Sequence, residues 1–73
     1  MSTIAVSGGF TIVHAGHVRM FREAATYGKL IVILNSDEWV KSKYGKVIVP
    51  YEQRAEVLTA FKDVYSVIEV RKN

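Results

Sequence analysis

Thr3-Ile4-Ala5-Val6-Ser7-Gly8-Gly9-Phe10-Thr11-Ile12-Val13-His14-Ala15-Gly16-His17 decides the fold. Thr3 to Val6 is a short β-branched and apolar run closed by Ser7-Gly8-Gly9, which predicts a buried strand ending in a tight turn. A helix is predicted from Gly16 to Tyr27. Val18, Phe21 and Ala25, with Met20 and Ala24 beside them, recur at three- and four-residue steps, while Arg19, Arg22 and Glu23 take the other side. Gly28 closes that helix. A strand, a glycine turn and a helix start in immediate succession form the place where open α/β sheets bind ligands, beyond the ends of their strands.

Outward from this stretch, Leu30-Ile31-Val32-Ile33-Leu34 is apolar without a break, the pattern of a strand covered on both faces in a parallel sheet. Asn35-Ser36-Asp37 ends it. The polar segment from Glu38 to Lys46 begins as a helical turn capped by Ser36 or Asp37 and passes into a loop at Tyr44-Gly45. Val47 to Val49 reads as a strand stub. Pro50 takes the first position of a helix running to about Phe61, with Val57, Leu58 and Phe61 as its inner stripe. Val64 to Val70 is a last strand. The order β-α-β-α-β with short connections implies right-handed crossovers and an α/β fold with a three-stranded parallel sheet of order 3-2-1. Residues 1–73 form one domain, with no repeat, linker or low-complexity segment.

Composition narrows the function. A chain of 73 residues lies at the lower edge of independent folding, and with no cysteine it has neither a disulfide nor a thiolate metal site to help it. The absence of cysteine favours a reducing compartment, and no targeting segment is evident, so a cytoplasmic setting is expected. The longest apolar run is far short of the ~20 residues a membrane-spanning helix needs. Ten Lys and Arg against seven Asp and Glu leave a net charge of +3, which favours anionic ligands below the density of a dedicated nucleic-acid binder. No acid occurs between Glu38 and Glu52, and Lys41, Lys43 and Lys46 fall in that gap. Alone it reads as a solvated basic loop; a phosphate site has to come from its surroundings.

Those surroundings are the glycine turn. Gly8 and Gly9 let the backbone approach a ligand, and the following helix start offers unpaired N–H groups and a positive dipole end to phosphate. His14 and His17 are three residues apart, so both imidazoles lie on one face and can reach one bound group. Either histidine alone reads as an ordinary polar side chain; two at this spacing in this turn read as phosphate donors. A zinc pair is the rival reading, but it lacks a third ligand, since no cysteine exists and no acid lies in the stretch.

These residues resemble the His-x-Gly-His nucleotidyltransferases, and within them the cytidylyltransferase-like group. The resemblance extends through Val18 to Gly28, Leu34-Asn35-Ser36-Asp37, Val47-Ile48-Val49-Pro50-Tyr51-Glu52-Gln53-Arg54, Val57-Leu58, Val64 and Val67-Ile68, so it covers essentially the whole chain. It implies a Rossmann-like half fold and transfer of CMP or AMP from CTP or ATP to a phosphorylated alcohol or sugar phosphate, with release of pyrophosphate. By position, Gly8, Gly9 and Phe10 would line the nucleotide together with Gly16. His14 and His17 would hold the triphosphate and stabilise charge on the α-phosphate, Lys43 would contact the acceptor phosphate or the transferring group, and Lys46 the triphosphate. Magnesium is implied with the triphosphate. Thr11 departs from the family pattern, which has Asp there. Relatives also continue to a late Ser/Thr-rich helix start with an Arg, so the amino-terminal half of the fold is expected here, and with it self-association or a partner chain at the edge of the first strand.

Three side chains stay open. Arg54 shares the apolar stripe of its helix, either packing its stem with its head in solvent or pairing in the interior with Asp37. Trp39 and Tyr44 either stack on a base or cover the core. The competing function is a non-catalytic nucleotide-binding or assembly module on the same fold. A nucleic-acid-binding domain is disfavoured, because the lysines lack an aromatic strand face.

Overall fold

Residues 2–70 are described in the computed structural model of this chain. The alternation at Thr3–Gly8 and the apolar run at Lys29–Asn35 form strands β1 and β2, joined by helix α1 (Ala15–Ala25). Two helices, α2 (Asp37–Tyr44) and α3 (Tyr51–Thr59), then lead to β3 (Val64–Val70). All three strands are parallel in the order β1-β2-β3, the expected sheet. Thr3 pairs with Lys29 and the register continues to Gly8 and Leu34. Between β2 and β3 it shifts after Leu30, leaving Tyr65 as an extra residue.

The alternate residues Leu30, Val32 and Leu34 of β2 are fully buried against Phe21 of α1 and Leu58 of α3, with Ile4, Val6, Ala24, Ala25, Phe61, Val64 and Val67 closing around them. Both helices therefore cover the same face, as successive right-handed crossovers in one direction require. The expectation of a strand covered equally on both faces is corrected here. Ile31 and Ile33 point the other way and are only half-buried, and Ile68, paired with Ile33, is 51% exposed.

Five further expectations shift. α1 ends at Ala25 with Thr26 as its cap, before Gly28, because the Thr26 hydroxyl donates to the carbonyl of Glu23 (2.6 Å). In the same helix Val18 and Met20 lie outside the core that Phe21 enters. The segment after β2 is a full helix instead of a turn: the Ser36 hydroxyl caps the Trp39 N–H (3.2 Å), acids Asp37 and Glu38 sit at the start, lysines at the end, and Gly45 closes it at φ +90°. Val47 to Val49 forms no strand, since the Val49 carbonyl is taken by the Arg54 side chain (2.9 Å) and Pro50 follows as the helix cap. α3 stops at Thr59, short of the expected end at about Phe61; its inner line runs through Arg54 and Leu58, with Phe61 packed against the core just beyond the helix, while Val57, about 100° round the helix from Leu58, is exposed.

Candidate functional site

The start of α1 is built from its two histidines. His14 has extended backbone and caps the helix, its Nδ1 accepting the N–H of Gly16 (3.0 Å). In return the His14 N–H donates to Nδ1 of His17 (3.1 Å). The two rings lie 4.4 Å apart, centre to centre. A side chain at Gly16 would strike the His14 ring, with a Cβ 2.7 Å from Cε1, so the glycine between the histidines is what lets the imidazole fold back over the first turn. Because each Nδ1 is an acceptor, the neutral ring carries its proton on Nε2. Neither Nε2 has a hydrogen-bond partner among the described residues, so both remain available as donors at the positive end of a helix with no acid in its first turn. Burial, and secondarily the neighbouring His14, hold the His17 pKa below the usual 6.5, which keeps that ring neutral near pH 7.

The loop before the histidines is held from behind. Phe10 has φ +50°, in the left-handed region that a bulky side chain adopts only under constraint. Its ring stands edge-on to His17 (5.6 Å between ring centres) and tilted against Phe21 (5.8 Å), so part of the Phe10 side chain serves the core beneath the site. Beside Gly8 and Gly9 the space is taken by the Phe10 ring and by Trp39 and Val40, respectively.

Arg54, whose role the sequence leaves open, stands behind the glycine turn. The residue is 2% exposed, and its side chain donates to the carbonyls of Val49 (Nε, 2.9 Å), Gly9 (Nη1, 2.7 Å) and Asn35 (Nη1, 2.9 Å), and through Nη2 to Asp37 Oδ1 (2.6 Å). The interior pairing, one of the two open readings, is the one found. One guanidinium thus ties the glycine turn, the end of β2, the start of α2 and the loop before α3, and a cation placed in an apolar stripe was the only sequence signal for it.

The lysines differ in placement. The ammonium of Lys43 lies 4.9 Å from the Trp39 ring centre and 5.9 Å from that of Tyr44, an arrangement that uses both aromatic rings. Lys46 instead lines a cavity with Thr11. Trp39 is half-buried against the glycine turn and Tyr44 is 60% exposed. Among the described residues no three His, Asp or Glu side chains come together to hold a metal, and the one carboxylate tied to the glycine turn, Asp37, is engaged by Arg54. The donor set does not fit a dedicated magnesium site. No helix among the described residues is long and apolar enough to cross a membrane.

Residues 5–73 match the family model described as cytidylyltransferase-like. The chain belongs to the cytidylyltransferase-like family. This cytidylyltransferase-like chain is 46% identical over 67 residues to the FAD synthase of Pyrococcus horikoshii, covering 89% of the chain and 45% of that protein. It is 43% identical over 63 residues to the phosphopantetheine adenylyltransferase of the same organism, covering 84% of the chain and 40% of that protein. Its fold matches the crystal structure of the lipopolysaccharide core biosynthesis protein from Thermoplasma volcanium GSS1 with a TM-score of 0.84 at 25% identity, over 94% of the chain and 57% of that structure. The chain therefore spans less than half the length of the two curated relatives it resembles.

Proposed function

We propose that this chain supplies the nucleotide-binding elements of a nucleotidyltransferase. A phosphate oxygen of the acceptor attacks the α-phosphorus of ATP or CTP, the bond from that phosphorus to the bridging oxygen breaks, and pyrophosphate leaves with the electron pair. The observation that carries this reading is the histidine pair, which spends both Nδ1 atoms on the helix start and presents two Nε2–H donors side by side. Such donors act on charge that grows during the transfer, so the protein works mainly by positioning and electrostatic stabilisation. One relative is named an adenylyltransferase, which favours AMP as the group transferred.

In this reading Gly8, Gly9, Phe10 and Gly16 border the nucleotide, and His14 and His17 hold its triphosphate. Lys43 and Lys46 supply positive charge for the acceptor and triphosphate phosphates. Magnesium would accompany the triphosphate as its counter-ion, and no residue of this chain is assigned to it. A cytoplasmic setting accords with the absence of cysteine.

The test is replacement of His14 or His17 by Ala in a full-length version of the protein, in a nucleotidyl-transfer assay alongside calorimetric titration with ATP and CTP. Turnover is expected to fall ~10²–10³-fold while nucleotide affinity changes far less. Near-normal turnover with an intact fold overturns the assignment. Thr11, where the resemblance implies Asp, favours the second reading, a module that binds nucleotide without transferring it; saturable binding with no release of pyrophosphate would select that reading.

A further inference from the structure

The left-handed residue of the glycine turn is not one of its glycines. Phe10 takes φ +50° directly after Gly8 and Gly9, although a bulky side chain is rare in that region and glycine enters it without penalty. What phenylalanine brings that glycine cannot is a ring. That ring lies against Gly8, where a Cβ would come within 3.1 Å of Phe10 Cε2, so the bare α-carbon is what gives it a seat. From there it stands edge-on to His17, with 66° between the ring planes, and leans on Phe21, which is fully buried. Phe21 flanks the His17 ring as well, at 6.4 Å between centres.

The two histidines are therefore held unequally. His14 is exposed, and the hydrogen bond from the Gly16 N–H is what restrains its ring. His17 is half-buried, its Nδ1 tied to the His14 N–H and its ring set against two aromatic neighbours. A hydrogen bond at Nδ1 fixes one point of an imidazole, and a wall beside the ring fixes its plane. We infer that Phe10 is a positioning residue: its ring sets the plane of the His17 imidazole, and so the direction of the Nε2–H donor, and its left-handed backbone is kept because it aims the ring there. The consequence for turnover rests on the nucleotidyl-transfer reading above; the consequence for the imidazole does not.

The same wall shields His17 from water, which accords with burial as the first cause of its lowered pKa and His14 as the second. The charged groups that the surrounding elements bring to the turn are Arg54 of α3, paired with Asp37 of α2, and Lys46, which lines a cavity with Thr11. Leu30, Val32 and Leu34 of β2 bring none.

Ring-nitrogen and side-chain NMR of the two histidines tests the inference in this chain and in Phe10→Leu, which keeps an apolar side chain for Phe21 but removes the flat edge. In the wild type His17 should hold one Nε2–H tautomer and be the more rigid ring on the picosecond to nanosecond scale. In Phe10→Leu it should exchange between tautomers, and its titration midpoint should rise toward 6.5. Equal mobility of the two rings in the wild type, which requires no variant to fold, overturns the inference, as does an unchanged tautomer and midpoint in Phe10→Leu. In the transfer assay Phe10→Leu should lower kcat ~10-fold or more with the KM for ATP little changed. A loosened ring with undiminished turnover keeps the positioning and removes His17 from the transfer, whereas lost turnover with the ring unmoved overturns the positioning and leaves the transfer reading intact.

Discussion

At His17, local structure and chemistry meet in one nitrogen. Its Nδ1 accepts the His14 N–H, and protonating that ring turns the acceptor into a second donor facing the first. Its pKa is lowered by burial first and by His14 second, so the unfolded chain takes up the proton before the folded one does. Stability from this group is therefore complete above the unfolded value of 6.5 and is lost as pH falls from there through the lowered folded value. Thermal melts between about pH 7.5 and 5 should show a larger loss for the wild-type chain than for His17→Asn, which cannot titrate; equal losses would show that the cap is not linked to protonation. The spacing of the histidines was legible in the sequence, because a three-residue step on a helix is a geometric rule. Their reciprocal capping was not, since histidine is outside the usual set of cap residues. The two lysines were legible only as a basic gap, because four-carbon stems let neighbours in sequence end in different places: one over two aromatic rings, the other beside a cavity.

Among the elements, the strands and α1 follow from periodicity, whereas the stretch between β2 and α3 does not. Val47 to Val49 has the composition of a strand, but the Arg54 side chain, five residues on and held by the glycine turn and β2, claims the Val49 carbonyl, an effect that strand composition does not carry. α2 exceeds the expected turn because its caps and end charges reinforce one another around few apolar residues. Arg54 then joins these pieces. Arg54→Ala strands the Gly9, Asn35 and Val49 carbonyls, each buried acceptor left unmet typically costing ~1–3 kcal/mol, while Asp37, whose side chain is 44% exposed, keeps water as a partner. Denaturant titration followed by circular dichroism should show that loss in full. Arg54→Lys keeps the charge but not the planar fork, so it should lose a large share of the stability as well. A lysine variant as stable as wild type would mean that charge alone, without the fork, holds the turn.

For the molecule as a whole, the parallel order and its handedness were fixed by short connections, while coverage of the second face depends on contacts that alternation within one strand does not report. Among the described residues β1 pairs only with β2, so one row of backbone groups from Thr3 to Gly8 is open to another strand. Concentration-dependent self-association is therefore expected in sedimentation equilibrium. Ala5→Lys, which sets a charge at the exposed middle of that strand, should weaken it, and a monodisperse monomer at all concentrations would show that the edge is protected. The Arg54 contact with Gly9 joins residues 45 apart along a chain of 73. Loop closure over that distance must come before the reward, so the glycine turn settles only once α3 has docked, late in the order of folding events. Evolution of the ligand loop is correspondingly tied to a helix that touches no ligand: changes that loosen α3 will surface as a blurred first turn, and amide exchange at Gly9 and Phe10 should keep pace with exchange in α3 rather than with that of the histidine helix beside them.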